Sequence, residues 1–400
     1  MKPMHLFLAG AAAVFMISGP VHAETQKWTA EAANTWYAGQ RWLVGSNYLN
    51  TSAINQLEMW QADTFNPEEI DRELGYAESI GMNTMRVFLH DQLWQQDPEG
   101  FKKRIDIFLN LAKKHNIKPM LVLFDSCWDP YPHLGLQPAP IPGVHNSGWV
   151  QSPGAIGLRE DNTENLKAYV TGIVSHFAKD DRILAWDIWN EPDNRDGQTA
   201  DWTVAGKTGV RDGGRSDQAV KVANVERLLP QAFAWARSAD PSQPLTSGVW
   251  VTSNDWSPNG KKSKTEEIQL NESDIISFHS YEWPEGLEKR IQMLQPYGRP
   301  LILTEYMARG HGSTFDSSLP LGRKYNVAMI NWGFVLGKSQ TNMPWDSWQR
   351  PYTKNPPTLW FHDIFYADGT PYRKAETDQI RTLTAEAAAT FKTKSRKAKP

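Results

Sequence analysis

The 400-residue sequence predicts an α/β fold, a single closed (β/α)8 TIM barrel, on three observations. Short β-rich runs alternate with helical patterns about eight times. Composition does not shift between the two halves of the chain, and each of the three longest loops follows a strand. Eight strands with helices between them, over roughly 350 residues, suit a closed barrel better than an open sheet.

The candidate strands are Trp42 to Asn47, Thr84 to Leu89, Met120 to Asp125, Ile183 to Trp189, Leu245 to Val249, Ile275 to His279, Leu301 to Glu305 and Met329 to Val335. The first helix is signalled by Asn66 as cap, Pro67 at the first helical position and Glu69 completing a capping box, with Ile70, Leu74, Ala77 and Ile80 on one stripe. Phe101, Ile105, Phe108 and Ala112 form the next apolar face. Leu166, Val170, Ile173 and Phe177 form another, and Leu228, Leu229, Ala232, Phe233 and Ala236 one more. The long loops are Ser126 to Gly157, Asp193 to Arg215 and Thr341 to Pro357. Structureless loops of this length in a compact domain are usually functional, and loops after strands lie at the carboxyl face where barrel active sites sit.

Residues 1–23 read as a removable export signal: Lys2 is the positive end, Leu6 to Ile17 is apolar, and Val21-His22-Ala23 is a small-x-small cleavage site. No later apolar run is long enough to span a bilayer, so the expected mature protein, from residue 24, is exported to the periplasm or secreted, with no membrane partner. Without the signal, 41 Lys and Arg face 45 Asp and Glu, a balance that argues against nucleic-acid binding. The barrel is expected over 24–390, as a monomer, followed by a basic, disordered tail over 391–400 with Lys392, Lys394, Arg396, Lys397 and Lys399. Cys127 is the only cysteine, so no internal disulfide can form. Cys-pair and His-Glu-x-x-His metal motifs and Gly-rich phosphate loops are absent, and no metal or organic cofactor is expected.

Two carboxylates end two of the strands: Glu191, in Asp187-Ile188-Trp189-Asn190-Glu191-Pro192, and Glu305, in Leu303-Thr304-Glu305-Tyr306. An acid ending a buried apolar strand is costly unless paired or hydrogen-bonded, and one alone reads equally well as a structural ion pair. Two at the carboxyl ends of facing strands match what glycosidic hydrolysis needs: one acid to protonate the leaving oxygen and a second group to attack the sugar or activate water. The 18 Trp fit the same reading, since the indole face suits sugar rings as well as protein cores.

With Asn190-Glu191-Pro192 after an apolar strand and Glu305 ending a later one, the chain from about Trp42 to Arg381 resembles glycoside hydrolases of the (β/α)8 clan A, nearest to family 5, the cellulase and mannanase family. The resemblance implies that Glu191 is the acid/base and Glu305 the nucleophile of a retaining double displacement. It also implies that Arg86 keeps Glu305 ionised, that Asn190 holds the sugar 2-hydroxyl, and that Trp332 is the floor under the sugar being cleaved. His279-Ser280-Tyr281 is similar to the family's His-x-Tyr, with Tyr281 orienting Glu305 and His279 binding sugar or supporting the acid/base. Trp128, Trp250, Trp256, Trp283, Trp345 and Trp348 are candidate platforms for outer sugars. Family 5 usually has a histidine near the end of the third strand, where this chain has Leu123-Phe124-Asp125-Ser126-Cys127-Trp128; Asp125 and His90 are the candidate replacements. Cys127 reads as a bystander, with no base identifiable beside it.

The substrate expected is a neutral β-linked poly- or oligosaccharide, with β-1,4-glucan, mannan or xylan leading and endo action favoured because it is commoner in the resembled family. The alternatives are an exo-acting β-glycosidase or transglycosidase on oligosaccharides, and, from another class, a catalytically inactive glycan-binding barrel.

Overall fold

The structure, a computed structural model, describes residues 26–196, 202–204, 207–209 and 217–397; the proposed export signal lies outside them. Eight parallel strands form the barrel: β1 (Val44–Asn47), β2 (Thr84–Phe88), β3 (Met120–Asp125), β4 (Ala185–Asn190), β5 (Leu245–Thr246), β6 (Ile276–His279), β7 (Leu301–Glu305) and β8 (Ala328–Asn331). The hydrogen-bonded order β5-β4-β3-β2-β1-β8-β7-β6 leaves one seam, between β5 and β6. Val249 closes it through a parallel bridge to Phe278, donating its N–H to Ser277 O (3.2 Å) and accepting from His279 N (2.9 Å).

Each strand is followed by at least one helix, of which Pro67–Ser79, Pro98–Lys114, Thr163–His176, Gln218–Ser238, Lys264–Glu272, Pro284–Leu294, Phe315–Tyr325 and Lys374–Lys397 form the outer ring. Their predicted apolar stripes face inward: Ile70, Leu74, Phe101, Ile105, Phe108, Leu166, Val170, Ile173, Leu229, Ala232 and Phe233 are all fully buried. Asn66 caps as expected, accepting from Glu69 N, but no capping box forms there. The Glu69 carboxylate is taken by Asn50 and Ser52 of the loop after β1. The reciprocal box lies instead at Ser263 and Glu266.

Two strands end three or more residues before their sequence runs do. β5 stops at Thr246 because Gly248 O is taken by the Gln269 side chain (2.6 Å) and Ser247 Oγ turns to Trp189 O (2.7 Å). β8 stops at Asn331 because Gly333 is left-handed (φ +81°) and its carbonyl receives Asn331 Nδ2 (2.7 Å). Below the barrel, helix Ala30–Ala38 sets Ala33 and Tyr37 against Met120, Ala185, Ile302 and Ala328, plugging the amino-terminal end.

The last helix continues to Lys397, so the tail drawn from 391 begins inside it. Ala385-Glu386-Ala387-Ala388-Ala389 is a strong helix-forming run, Ala387 is buried, and lysines near a helix carboxyl end favour its continuation. This helix is tied to the ring by Arg309 and Glu376 (2.6 Å) and by Arg381 Nε on Ser79 O (3.1 Å). The loop after β4 contains a short antiparallel pair, Trp202–Val204 with Lys207–Gly209. Among the described residues, no helix is long and apolar enough to cross a membrane.

Candidate active site

The carboxyl ends of β1, β4 and β7 converge on one fully buried guanidinium, that of Arg86 on β2. Arg86 donates from Nε to Asp187 Oδ2 (2.9 Å), from Nη1 to Asn47 Oδ1 (2.9 Å) and Glu305 Oε1 (3.0 Å), and from Nη2 to Asn190 Oδ1 (2.7 Å). Asp187 pairs with the same group at 2.8 Å, and both side chains are completely shielded from water. The expected Arg86–Glu305 neighbourhood is therefore part of one network that also holds Asn190.

Glu191 follows Asn190 in a left-handed backbone (φ +42°) that L-residues seldom adopt. The turn takes the chain off β4 with the Glu191 carboxyl in the site, where Oε1 meets His279 Nδ1 (2.8 Å) and Oε2 accepts from Asn194 Nδ2 (2.5 Å) and Cys127 Sγ (3.4 Å). Across the barrel, Glu305 Oε2 accepts from the Tyr281 hydroxyl at 2.8 Å. His279 Nδ1 also lies 3.6 Å from Glu305 Oε2. One oxygen from each glutamate and one His279 nitrogen all lie within 4.8 Å of one another. That spacing belongs with carboxyl pairs of about 5–5.5 Å, which act as nucleophile and acid/base, and is too close for an intervening water.

The two carboxyls have unequal surroundings. Burial pushes Glu191 up to about 7, against hydrogen bonds from Cys127 and Asn194. Burial also raises Glu305, with His279 and Arg86 pulling the other way and Glu191 adding to the rise. The cation touches Glu305 and not Glu191, so when the pair holds one proton it resides on Glu191. Burial lowers His279 to about 4, leaving the ring neutral. Among the described residues these three are the group whose atoms approach closely enough to share a metal ion. All four carboxylate oxygens, however, already have protein partners, and one of these is a fixed cation; the set suits proton and covalent chemistry.

The site opens into a cavity of about 720 Å³. Predicted residues Asn190, Glu191, His279, Tyr281, Glu305 and Trp332 line it, as do Trp128, Trp250, Trp283, Trp345 and Trp348. Trp332 is backed edge-on by Phe88 (6.0 Å) and Trp149 (5.6 Å), which present its ring as a fixed surface. Trp250 is held by Asp193 (2.8 Å), and Trp345 packs edge-on against Tyr281 (5.0 Å). Trp283 is 66% exposed at the rim.

Three sequence-predicted residues lie elsewhere. Trp256 is wholly buried, its N–H on Glu266 (2.9 Å) and its ring under Arg290, so it is a core residue. His90 is buried as the cap of helix Asp91–Gln96, accepting from Gln92 N (3.2 Å). Asp125 does not reach the cavity: it is buried and accepts from Asn190 Nδ2 (2.9 Å), Trp149 Nε1 (2.5 Å), Gln56 Nε2 (3.0 Å) and Cys127 N (3.1 Å). It thus positions Asn190 and Trp149 where a sugar contact was expected. Cys127, read as a bystander, has a carboxylate beside it and contributes a weak donor to Glu191, while burial raises its own thiol and keeps it unreactive. Sequence reasoning missed Asn194, whose signal was its place three residues after Glu191; His145, Asn146 and Trp149, which line the cavity from the long loop after β3; and His311, which lines it from the turn after β7.

The profile of the cellulase family, glycosyl hydrolase family 5, matches residues 45–350, more than half of the chain. The chain belongs to glycosyl hydrolase family 5. It is therefore an O-glycosyl hydrolase of clan A, and the close carboxyl pair fits the retaining β-glycosidase reaction of family 5. Mannan endo-1,4-β-mannosidase A of Hypocrea jecorina is 22% identical over 72% of this chain and 68% of its own length. Among solved structures, the exo-β-1,4-mannosidase of Opitutaceae bacterium strain TAV5 is 17% identical with a TM-score of 0.55, over 86% of this chain and 60% of that one. The endo-1,4-β-D-mannanase of Thermotoga petrophila RKU-1 is 16% identical with a TM-score of 0.50, over 86% and 99%. These structural likenesses are likenesses of fold.

The Arg86 network makes a stability prediction. Arg86→Met leaves Asp187 buried without its cation and should cost about 3–5 kcal/mol in urea unfolding, with the double variant Arg86→Met/Asp187→Asn recovering part of the loss but no activity. Equal stability of single and double variants would sink this account of the pair.

Proposed function

We propose that this family 5 enzyme hydrolyses β-1,4-linked mannosides, with Glu305 as nucleophile and Glu191 as acid/base. The observation that carries the assignment is the close carboxyl pair in which the Arg86 cation sits on Glu305. The mannan specificity is supported by the mannosidase and mannanase relatives.

In the first step a Glu305 oxygen bonds to the anomeric carbon, the bond to the leaving oxygen breaks, and the Glu191 proton moves to that oxygen. In the second, Glu191 takes a proton from water, the hydroxide oxygen bonds to the anomeric carbon, and Glu305 leaves as carboxylate. Tyr281 holds the oxygen of Glu305 that Arg86 does not, so the nucleophile keeps one orientation. Asn190 is fixed through Oδ1 by Arg86 and through Nδ2 by Asp125; its other N–H has only the long contact to Cys127 Sγ (3.9 Å), which the sugar 2-hydroxyl would replace, and Trp332 lies under the ring. Trp128, Trp250, Trp283, Trp345 and Trp348 supply flat faces for the rest of the glycan.

Reducing-sugar release from β-mannan, glucomannan, β-glucan and xylan is expected on the mannans and should vanish in Glu305→Ala. Glu191→Ala should still cleave substrates with good leaving groups, and added azide should give a β-glycosyl azide. An α azide would refute retention, release on xylan or glucan alone would refute the substrate, and binding without release would make the barrel a glycan-binding protein.

The acid must be protonated to act, so kcat/KM should fall about tenfold per pH unit above the Glu191 value of about 7. Asn194 donates to the ionised form and holds that value down, so Asn194→Leu should move the alkaline limb upward. A limb unmoved by the change would show that Asn194 does not tune the acid.

Export rests on the amino-terminal signal reading. Edman sequencing of the protein from the periplasm or medium should start at Glu24, and recovery of the intact Met1 terminus in the cytoplasm would refute it.

A further inference from the structure

If Glu191 protonates the leaving oxygen, the leaving half of the substrate lies on the side of Glu191, over Asn194 and Trp250. The sugar held by Glu305 then points the opposite way, across Trp332 toward the ends of β8 and β1. On that side the cavity meets a wall.

The wall is the stretch Gly143 to Trp149 of the long loop after β3, laid across the barrel mouth and stitched to the loop after β8. Asn146 N donates to Ser339 O (2.7 Å), His145 N to Ser347 Oγ (2.9 Å) and His145 Nδ1 to Met343 O (2.9 Å). Gln340 is clamped from both ends, accepting from Gly143 N (2.9 Å) and donating to Ile141 O (2.8 Å), while Tyr352 N donates to Gly143 O (3.0 Å). The loop after β1 braces the same stretch through Asn55 Nδ2 on Gly148 O (2.9 Å). Bonds of this number to main-chain atoms make the wall part of the scaffold.

Its position limits the space. Trp149, at the end of the wall, packs edge-on against Trp332 itself, with ring centroids 5.6 Å apart, so the barrier begins where the floor under the reacting sugar ends. Behind Asn146, Trp149 and Trp332 is a hollow of about 20 Å³, bounded by Asn47, Tyr48, Leu49 and Phe88. That is room for about one water and not for a sugar. Among the described residues, none before Cys127 lines the main cavity, so the loops after β1 and β2 contribute nothing to it.

Asn146 gives the wall a chemical preference. It is 1% exposed, lines the cavity, sits in a left-handed backbone (φ +46°), and its Oδ1 has no hydrogen-bond partner among the described residues. An unpaired buried acceptor needs a donor. The sugar hydroxyl that reaches this wall is free to donate at a chain's non-reducing end, whereas within the chain the same oxygen is glycosidic and has no hydrogen.

We propose that the wall confines the glycone side to one sugar, so that the enzyme removes single residues from the non-reducing end of β-mannoside oligosaccharides, with Asn146 Oδ1 accepting the terminal 4-hydroxyl. This rests on the β-mannosidase reading and departs from the endo action favoured by the resemblance. The hydrolysis is the one already described, and its product is the free monosaccharide.

The test is a time course on borohydride-reduced mannopentaose, with reduced cellopentaose and xylopentaose alongside. The expected first products are the monosaccharide and the reduced tetramer, with galactomannan viscosity nearly constant while reducing sugar rises. Disaccharide or longer non-reducing fragments as first products from any of the three would overturn the proposal. Single-sugar release from cellopentaose or xylopentaose alone would uphold the wall and overturn the mannoside reading. No cleavage of any pentamer would overturn both.

Asn146→Gly, which tolerates the left-handed backbone, tests the acceptor. Wild type should cleave 4-nitrophenyl 4-deoxy-β-mannoside about tenfold less efficiently than the parent mannoside, and the variant should treat the two alike. If wild type and variant discriminate equally, Asn146 has no part in recognition, whatever the variant does to folding.

Discussion

The site is organised around a positive charge that cannot leave. Arg86 is fully buried, and its guanidinium is surrounded by four acceptors from three other strands: Asn47 of β1, Asp187 and Asn190 of β4, and Glu305 of β7. Burying an unpaired charge would be prohibitive, so the acceptors are required by the cation as much as the cation by them. Asp187 supplies the structural counter-charge. That leaves Glu305 able to spend its second oxygen on Tyr281 and, in turnover, its first on carbon. The barrel explains how four such groups meet: only a closed sheet brings the carboxyl ends of β1, β2, β4 and β7 around one point.

The sequence exposed this centre well, because strand-end residues are placed by the strands themselves. Once β2, β4, β6 and β7 were located, Arg86, Glu191, His279, Tyr281 and Glu305 had to converge. Residues beyond the strands escaped for a different reason. Trp250 and Trp256 lie six positions apart in one loop with the same local signals, yet one lines the cavity and the other is sealed under Arg290. Which one faces sugar depends on Asp193 and Glu266, partners that no local pattern names. Likewise Asp125 looked like a ligand for substrate because it ends a strand, whereas its oxygens are consumed by Asn190, Trp149, Gln56 and Cys127. The Glu69 capping box failed on the same logic, a distant loop outcompeting the local partner.

The wall was least legible of all. Its two sides are separated by nearly half of the chain, as with Gln340 and Ile141, and its bonds run largely to main-chain carbonyls and N–H groups. Main-chain acceptors are identical at every residue, so the sequence carries no mark of which ones are used. Prolines 138, 140 and 142 did announce a loop of restricted conformation. They could not announce where it lands.

Chemistry and reach are thus set by different parts of one chain, with different tolerances. The carboxyl pair is fixed by strand ends and by a buried cation, so a change there disturbs charge, packing and catalysis together. The loops after β3 and β8 touch the reacting centre at a few points, Trp149 on Trp332, Cys127 on Glu191 and Trp345 on Tyr281, and the wall itself is held largely by bonds between the two loops. Their length and landing point can change without re-solving the electrostatics below. A barrel of this kind can keep one reaction while the depth of its cavity changes, since the free energy that orders the wall lies in loop-to-loop hydrogen bonds and the free energy that orders Glu305 lies in Arg86 and Tyr281.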